Sequence, residues 1–246
     1  MSNRRFFIAL SAALFAVLLL ARLPASIATQ LLPPSVSVST SSGTIWEGSA
    51  AHVQVNLNGK WFALGRVDWE LHPIGILVGD AVTIRSKWGS QHIDVSAGVA
   101  LSGEIRVSNA TVHTDIGWVK TLLPLFIAGD LKADIDELRV TASGLPAVLT
   151  GRIVWENAAW RAVGGDVSLG TYVVDVATDE SGISGRVMTL KGALELNGEF
   201  GLKGDAYSVA ADLSGAAARN EAFQQAIALL AVPTESGYRI DLSGTL

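Results

Sequence analysis

The side chains best suited to metal binding or acid–base chemistry in this 246-residue sequence are its four histidines, His52, His72, His92 and His113. His92–Asp94 and His113–Asp115 are i, i+2 pairs, which on a strand place imidazole and carboxylate on one face. Such a pair could hold a metal ion, or the carboxylate could orient a general base. Neither pair belongs to an H-E-x-x-H or comparable ligand pattern, so solvated strand faces are the stronger reading. The sequence has no G-x-S-x-G elbow, no phosphate-cradling glycine loop and no dinucleotide fingerprint. With no cysteine, disulfides, thiolate nucleophiles, lipobox acylation and Cys-ligated zinc or iron–sulfur sites are excluded. The expectation is a chain that is not an enzyme and takes no metal and no cofactor.

Seven tryptophans, Trp46, Trp61, Trp69, Trp88, Trp118, Trp155 and Trp160, are the other conspicuous side chains. Aromatics interleaved with basic residues can stack on nucleic acid or glycan. A net charge of −5 and a pI near 5.3 argue against a nucleic-acid partner. Trp46, Trp69 and Trp155 each precede a glutamate, which reads as a repeated core position with the indole N–H bonded.

The elements that must position these residues fall into an anchor and a body. Arg4 and Arg5 precede an uncharged apolar run, Phe6–Ala21, interrupted only by Ser11 and closed by Arg22, Leu23 and Pro24. The run predicts a single membrane helix over residues 6–23, with Arg22 reaching back to the interface. The two arginines put residues 1–5 in the cytoplasm and the body in the periplasm, attached to the inner membrane. The competing reading is a cleaved signal peptide ending near Ser26–Ile27–Ala28; it leaves the body in the same compartment. Only three of the 18 Lys and Arg precede residue 23, and all 23 acidic residues follow it. The body therefore has no electrostatic attraction to anionic lipid.

Residues 24–42 read as a linker running into a first strand. Beyond it, apolar and polar residues alternate, as in Val53-Val55-Leu57, Leu101-Ile105-Val107, Leu194-Leu196-Phe200 and Tyr238-Ile240-Leu242. That period predicts antiparallel strands with one dry and one wet face. Asn58–Gly59, Ser181–Gly182 and Gly204–Asp205 supply the turns. Helical spacing occurs over Asp115–Ala128 and Ala216–Ala231. Gly65-Arg66-Val67-Asp68-Trp69-Glu70 recurs 86 positions later as Gly151-Arg152-Ile153-Val154-Trp155-Glu156, and Gly79–Asp80 recurs at the same offset as Gly165–Asp166. The fold expected is mainly β: an N-terminal transmembrane helix, then two related antiparallel halves, 43–128 and 129–246, forming a curved sheet or groove with a short helix each.

Four blocks also resemble a known family. They are Gly43-Thr44-Ile45-Trp46-Glu47-Gly48-Ser49-Ala50, Trp69-Glu70-Leu71-His72-Pro73, Gly151 to Ala158, and Leu169-Gly170-Thr171-Tyr172. In order and length the chain is similar to the type II secretion system protein N family, the N component of the general secretory pathway. The resemblance implies an accessory or scaffold component of a Gram-negative inner-membrane machine that exports folded proteins across the outer membrane. Its partners would be other type II secretion inner-membrane subunits and, through the N-terminal helix, the lipid bilayer. The shared positions Gly43, Thr44, Trp46, Gly48, Trp69, Pro73, Gly151, Trp155 and Gly170 read as architectural. Gly43 and Gly48 are expected at turns or close strand approaches, and Trp46 as a core anchor. The alternative reading is a periplasmic binder of lipid or another hydrophobic ligand, its one-sided strands curled into a groove as in AsmA-like proteins; that rests on fold-level analogy.

Overall fold

The computed structural model describes residues 2–30, 32–57, 59–73, 75, 81–100, 102–121, 126–162 and 165–245, without the side chains of residues 2–5, 9, 120, 121, 162 and 226. Helix α1 (Ser2–Ala21) is followed by a short helix α2 (Ala25–Gln30) and fifteen strands. These are β1 (Val36–Ser37), β2 (Thr40–Gly43), β3 (Glu47–Leu57), β4 (Lys60–Leu71), β5 (Val82–Trp88), β6 (Gln91–Val99), β7 (Ile105–Asp115), β8 (Ile127–Val140), β9 (Pro146–Ala162), β10 (Gly165–Asp179), β11 (Gly182–Gly192), β12 (Glu195–Lys203), β13 (Ala206–Ser214), β14 (Ala231–Pro233) and β15 (Gly237–Thr245). Helix α3 (Glu221–Ile227) lies between β13 and β14.

All fifteen strands join one antiparallel sheet in nearly sequential order, with β1 and β2 both on the outer side of β3 and β14 outside β15. This is what period-2 alternation and short turns dictate, since each strand can pair only with the one its turn brings back. At the β3–β4 turn Asn56 Oδ1 accepts from the Gly59 amide at 2.8 Å, and Gly59 takes a φ of +83°. Among the bulges that interrupt the ladders, three fall at non-glycine residues with positive φ: His52, Asn109 and Asn157. Each takes up one extra residue and adds local twist, and asparagine tolerates that conformation well.

The register produces two continuous rows of side chains. On one face Val67, Ser86, Ile93, Val112, Ala133, Ile153, Val174, Val187, Gly198, Ala211 and Ile240 lie side by side from β4 to β15. One residue further along each strand, the opposite face carries Asp68, Arg85, Asp94, Thr111, Asp134, Arg152, Asp175, Arg186 and Glu199. The dry and wet faces therefore run through both halves. The boundary between residues 128 and 129 falls inside β8, which pairs with β7 along its length, so the halves share one sheet.

Over the described residues no helix is long and apolar enough to cross a membrane. Other expectations need correction. Helix α1 stops at Ala21, and Arg22 and Leu23 lie in the bend before α2. The span 24–42 is not a plain linker, because it forms α2, β1 and β2. Only a 3-10 turn, Ile116–Thr121, forms where helix Asp115–Ala128 was expected, since Asp115 belongs to β7 and Ala128 to β8; residues 122–125, including Leu122 and Pro124, lie outside the described residues. The expected helix Ala216–Ala231 splits into a 3-10 turn, Ala217–Arg219, and α3, because Asn220 caps the latter by accepting from the amides of Ala222 and Phe223. The matching pair Gly79–Asp80 lies outside the described residues.

Candidate functional site: one apolar face, closed over β8–β13 and open over β3–β5

The duplicated tryptophans occupy matching places. Trp69 on β4 stands between Gly48 on β3 and Ile84 on β5, and its Nε1 donates to the Ile45 carbonyl at 3.1 Å. Trp155 on β9 stands between Leu131 on β8 and Tyr172 on β10, and its Nε1 donates to the Ala128 carbonyl at 3.0 Å. Each indole thus reaches the backbone at the start of the preceding long strand, which satisfies its N–H while the ring covers apolar neighbours. Gly48 is required by that geometry, because a Cβ there would overlap the Trp69 ring.

Over the second half the apolar face is closed by the chain itself. Phe223 and Ile227 of α3, with Ala217 and Ala218 ahead of it, pack on Leu169, Tyr172, Leu194 and Leu213 to form the main buried core. Tyr172 is 2% exposed; its ring lies 5.8 Å from that of Trp155, and its Oη donates to the Leu194 carbonyl at 2.9 Å. Burial pushes the Tyr172 phenol up to about 12, because the phenolate would lose its hydration.

Over the first half nothing among the described residues fills the equivalent place. Val53 and Val55 of β3, Val67 and Trp69 of β4 and Ile84 of β5 line a cavity of about 350 Å³, roofed by Ala28 and Thr29 of α2 and by Leu32, with almost no polar surface. The roof is fixed to the sheet at one corner. Trp46 Nε1 donates to the Leu20 carbonyl at 2.8 Å, Ile45 N donates to the Leu23 carbonyl at 2.9 Å, and Pro24 bridges to Thr44. Trp46 therefore ties the end of α1 to the body and is not a core anchor of the sheet.

The remaining family-motif positions serve the same two places. Gly43 has a φ of +89° and abuts the Glu47 backbone, closing the tight turn in which Thr44 Oγ1 accepts from the Glu47 amide at 3.1 Å. Gly151 and Gly170 lie where β9 meets β8 and β10 meets β11, against the backbones of Asp134–Ile135 and Lys191–Gly192. Pro73 is exposed just beyond β4. The motif residues thus form two groups, around Trp69 and around Trp155; Gly43, Gly48 and Trp69 also border a mainly polar pocket shared with Glu47, Arg66, Asp68 and Arg85.

The wet face engages the carboxylates that sequence spacing paired with histidines. Asp94 lies 3.5 Å from Arg85, and Asp115 Oδ1 accepts from the Gly117 amide at 2.7 Å. His92 stands directly opposite His113, in a row with Arg66, Lys87 and Lys132. Arg152 and Asp175 form a two-pronged pair, Nε–Oδ1 2.5 Å and Nη2–Oδ2 3.1 Å. The Arg152 hydrogen bond holds the Asp175 carboxyl below its usual range, and the pair raises the guanidinium. Among the described residues no group of three or more His, Asp or Glu could hold a metal ion. Sequence reasoning missed the ladder of alternating charges, because it depends on register between strands distant in sequence.

Comparison with known proteins identifies the architecture. The family model for type II secretion system protein N matches residues 34–241. The chain belongs to that family. The type II secretion system protein N of Vibrio cholerae serotype O1 (strain ATCC 39315 / El Tor Inaba N16961) is 30% identical over 196 residues, covering 73% of this chain and 72% of that protein. No solved structure matches it. The family match runs from β1 into β15, so both tryptophan groups and the strands that line the cavity beside Trp69 fall within the type II secretion system protein N region.

Proposed function

We propose that the protein is an accessory scaffold of the type II secretion machinery, anchored in the inner membrane by α1 and docking other secretion subunits through its periplasmic sheet. The observation that carries this reading is the family match over residues 34–241. Supporting the anchor, the 20 residues of α1 rise about 30 Å, comparable to a bilayer hydrocarbon core. Phe6, Phe7, Leu14, Phe15, Val17 and Leu18 are each 55–65% exposed, and such contiguous apolar surface needs a cover other than water. Arg4 and Arg5 at its start favour a cytoplasmic N-terminus. The reading assigns no catalytic step.

Tagged full-length protein, extracted in mild detergent from cells carrying the secretion machine, should recover other inner-membrane secretion subunits. Its recovery alone, under conditions that keep the remaining subunits together, contradicts the scaffold. Alkaline phosphatase fused after Thr245 should be active, and an inactive fusion contradicts the periplasmic placement. The apolar cavity over β3–β5 favours a second property of the same body, binding of an aliphatic ligand.

A further inference from the structure

We infer that the cavity over β3–β5 is a binding site for one acyl chain of a bilayer lipid. Three observations converge. The first is the internal comparison: around equivalent tryptophans, the second half covers its apolar face with Phe223 and Ile227, whereas among the described residues the first half leaves Val53, Val55, Val67 and Ile84 around a space of about 350 Å³. A face that needs a plug in one copy needs one in the other, since exposed aliphatic surface costs about 25 cal/mol per Å².

The second is the chemistry of the walls. Ligand pockets ordinarily place a few polar groups to orient their occupant. This one offers almost none, so it can discriminate only by shape and hydrophobicity, which suits a hydrocarbon chain and not a sugar, nucleotide or peptide backbone.

The third is position. The roof residues Ala28 and Thr29 belong to the helix directly after α1, and the Trp46–Leu20 bond holds the end of α1 against the same corner of the sheet. With α1 in the bilayer the cavity lies at the periplasmic surface of that bilayer, within reach of a chain that leaves the outer leaflet. The site thus rests on the anchor reading.

Full-length protein is reconstituted into phosphatidylethanolamine–phosphatidylglycerol vesicles doped with a phospholipid carrying a diazirine at the end of one acyl chain. After photolysis, adducts are mapped by mass spectrometry. Adducts are expected on α1 and also on the inward residues of β3–β5, with none on β8–β13. Val67→Phe, which fills the space, and Ile84→Glu, which makes it polar, should each lower the β3–β5 adducts about tenfold, corresponding to about 1.4 kcal/mol of affinity, and leave those on α1 unchanged. Far-ultraviolet circular dichroism confirms that each variant is folded, and either one suffices. Adducts confined to α1 overturn the acyl site and leave the anchor standing. Adducts on neither overturn both.

Discussion

The two halves of the sheet start from the same strand and the same tryptophan and finish differently. Trp155 lies under a core that the chain builds from α3, with Tyr172 filling the place beside it. Trp69 has Ile84 in that place and a cavity above. Both halves have an indole bonded to backbone near the start of the preceding strand and glycines packed against a neighbouring strand. The parts free to diverge are the side chains above the sheet. The main buried core therefore lies in the second half, and the first half keeps an apolar cavity beside the end of α1.

The comparison breaks most visibly if the plug is removed. Phe223→Ala should destabilise the protein by about 3–5 kcal/mol, the usual cost of deleting a buried aromatic, measured by urea denaturation. A much smaller loss means that α3 is not the plug. Tyr172→Phe should cost about 1–2 kcal/mol, because the buried Leu194 carbonyl loses its donor. The same residue sets an alkaline limit. Its phenol titrates at about 12 in the folded chain, against roughly 10 when unfolded. Its contribution is complete below the unfolded value and is lost as pH rises through the folded one. Tyr172→Phe should remove that alkaline component of the stability–pH curve.

In the first half, Val67→Ala should cost only about 1 kcal/mol, because its half-buried side chain borders the cavity. A loss as large as that of Phe223→Ala would mean that the first half is packed as tightly as the second. Smallest of all, Asp175→Asn on the wet face should shift the melting temperature slightly, with the shift disappearing in high salt, since the Arg152 pair is solvent-exposed.

Much of this was legible in the sequence because strand alternation and turn glycines are local. Val53, Leu194 and Tyr238 fall on the dry face as their period-2 pattern requires, and the repeated Gly-x-x-x-Trp-Glu blocks occupy matching strands. Trp46 was misread because its partner, the Leu20 carbonyl, lies 26 residues away on another element. The helical spacing over Ala216–Ala231 concealed a cap at Asn220, and Leu230 ended outside the core at 46% exposure. The cavity had no sequence signature, because Val67 and Ile84 look like any inward strand residues until the space they border is seen. The Asp68–Arg85–Asp94 row was equally hidden, since register is a property of pairs of strands and not of either strand alone.

The central claim is that one apolar face is closed by the chain and its twin is closed by lipid. Methyl-labelled full-length protein in lipid nanodiscs tests it directly, through nuclear Overhauser contacts between protonated acyl chains and Ile, Leu and Val methyls. The account predicts contacts to Val53, Val67 and Ile84 and none to Leu169, Leu194 or Leu213. Contacts to neither set, or to both equally, would contradict it.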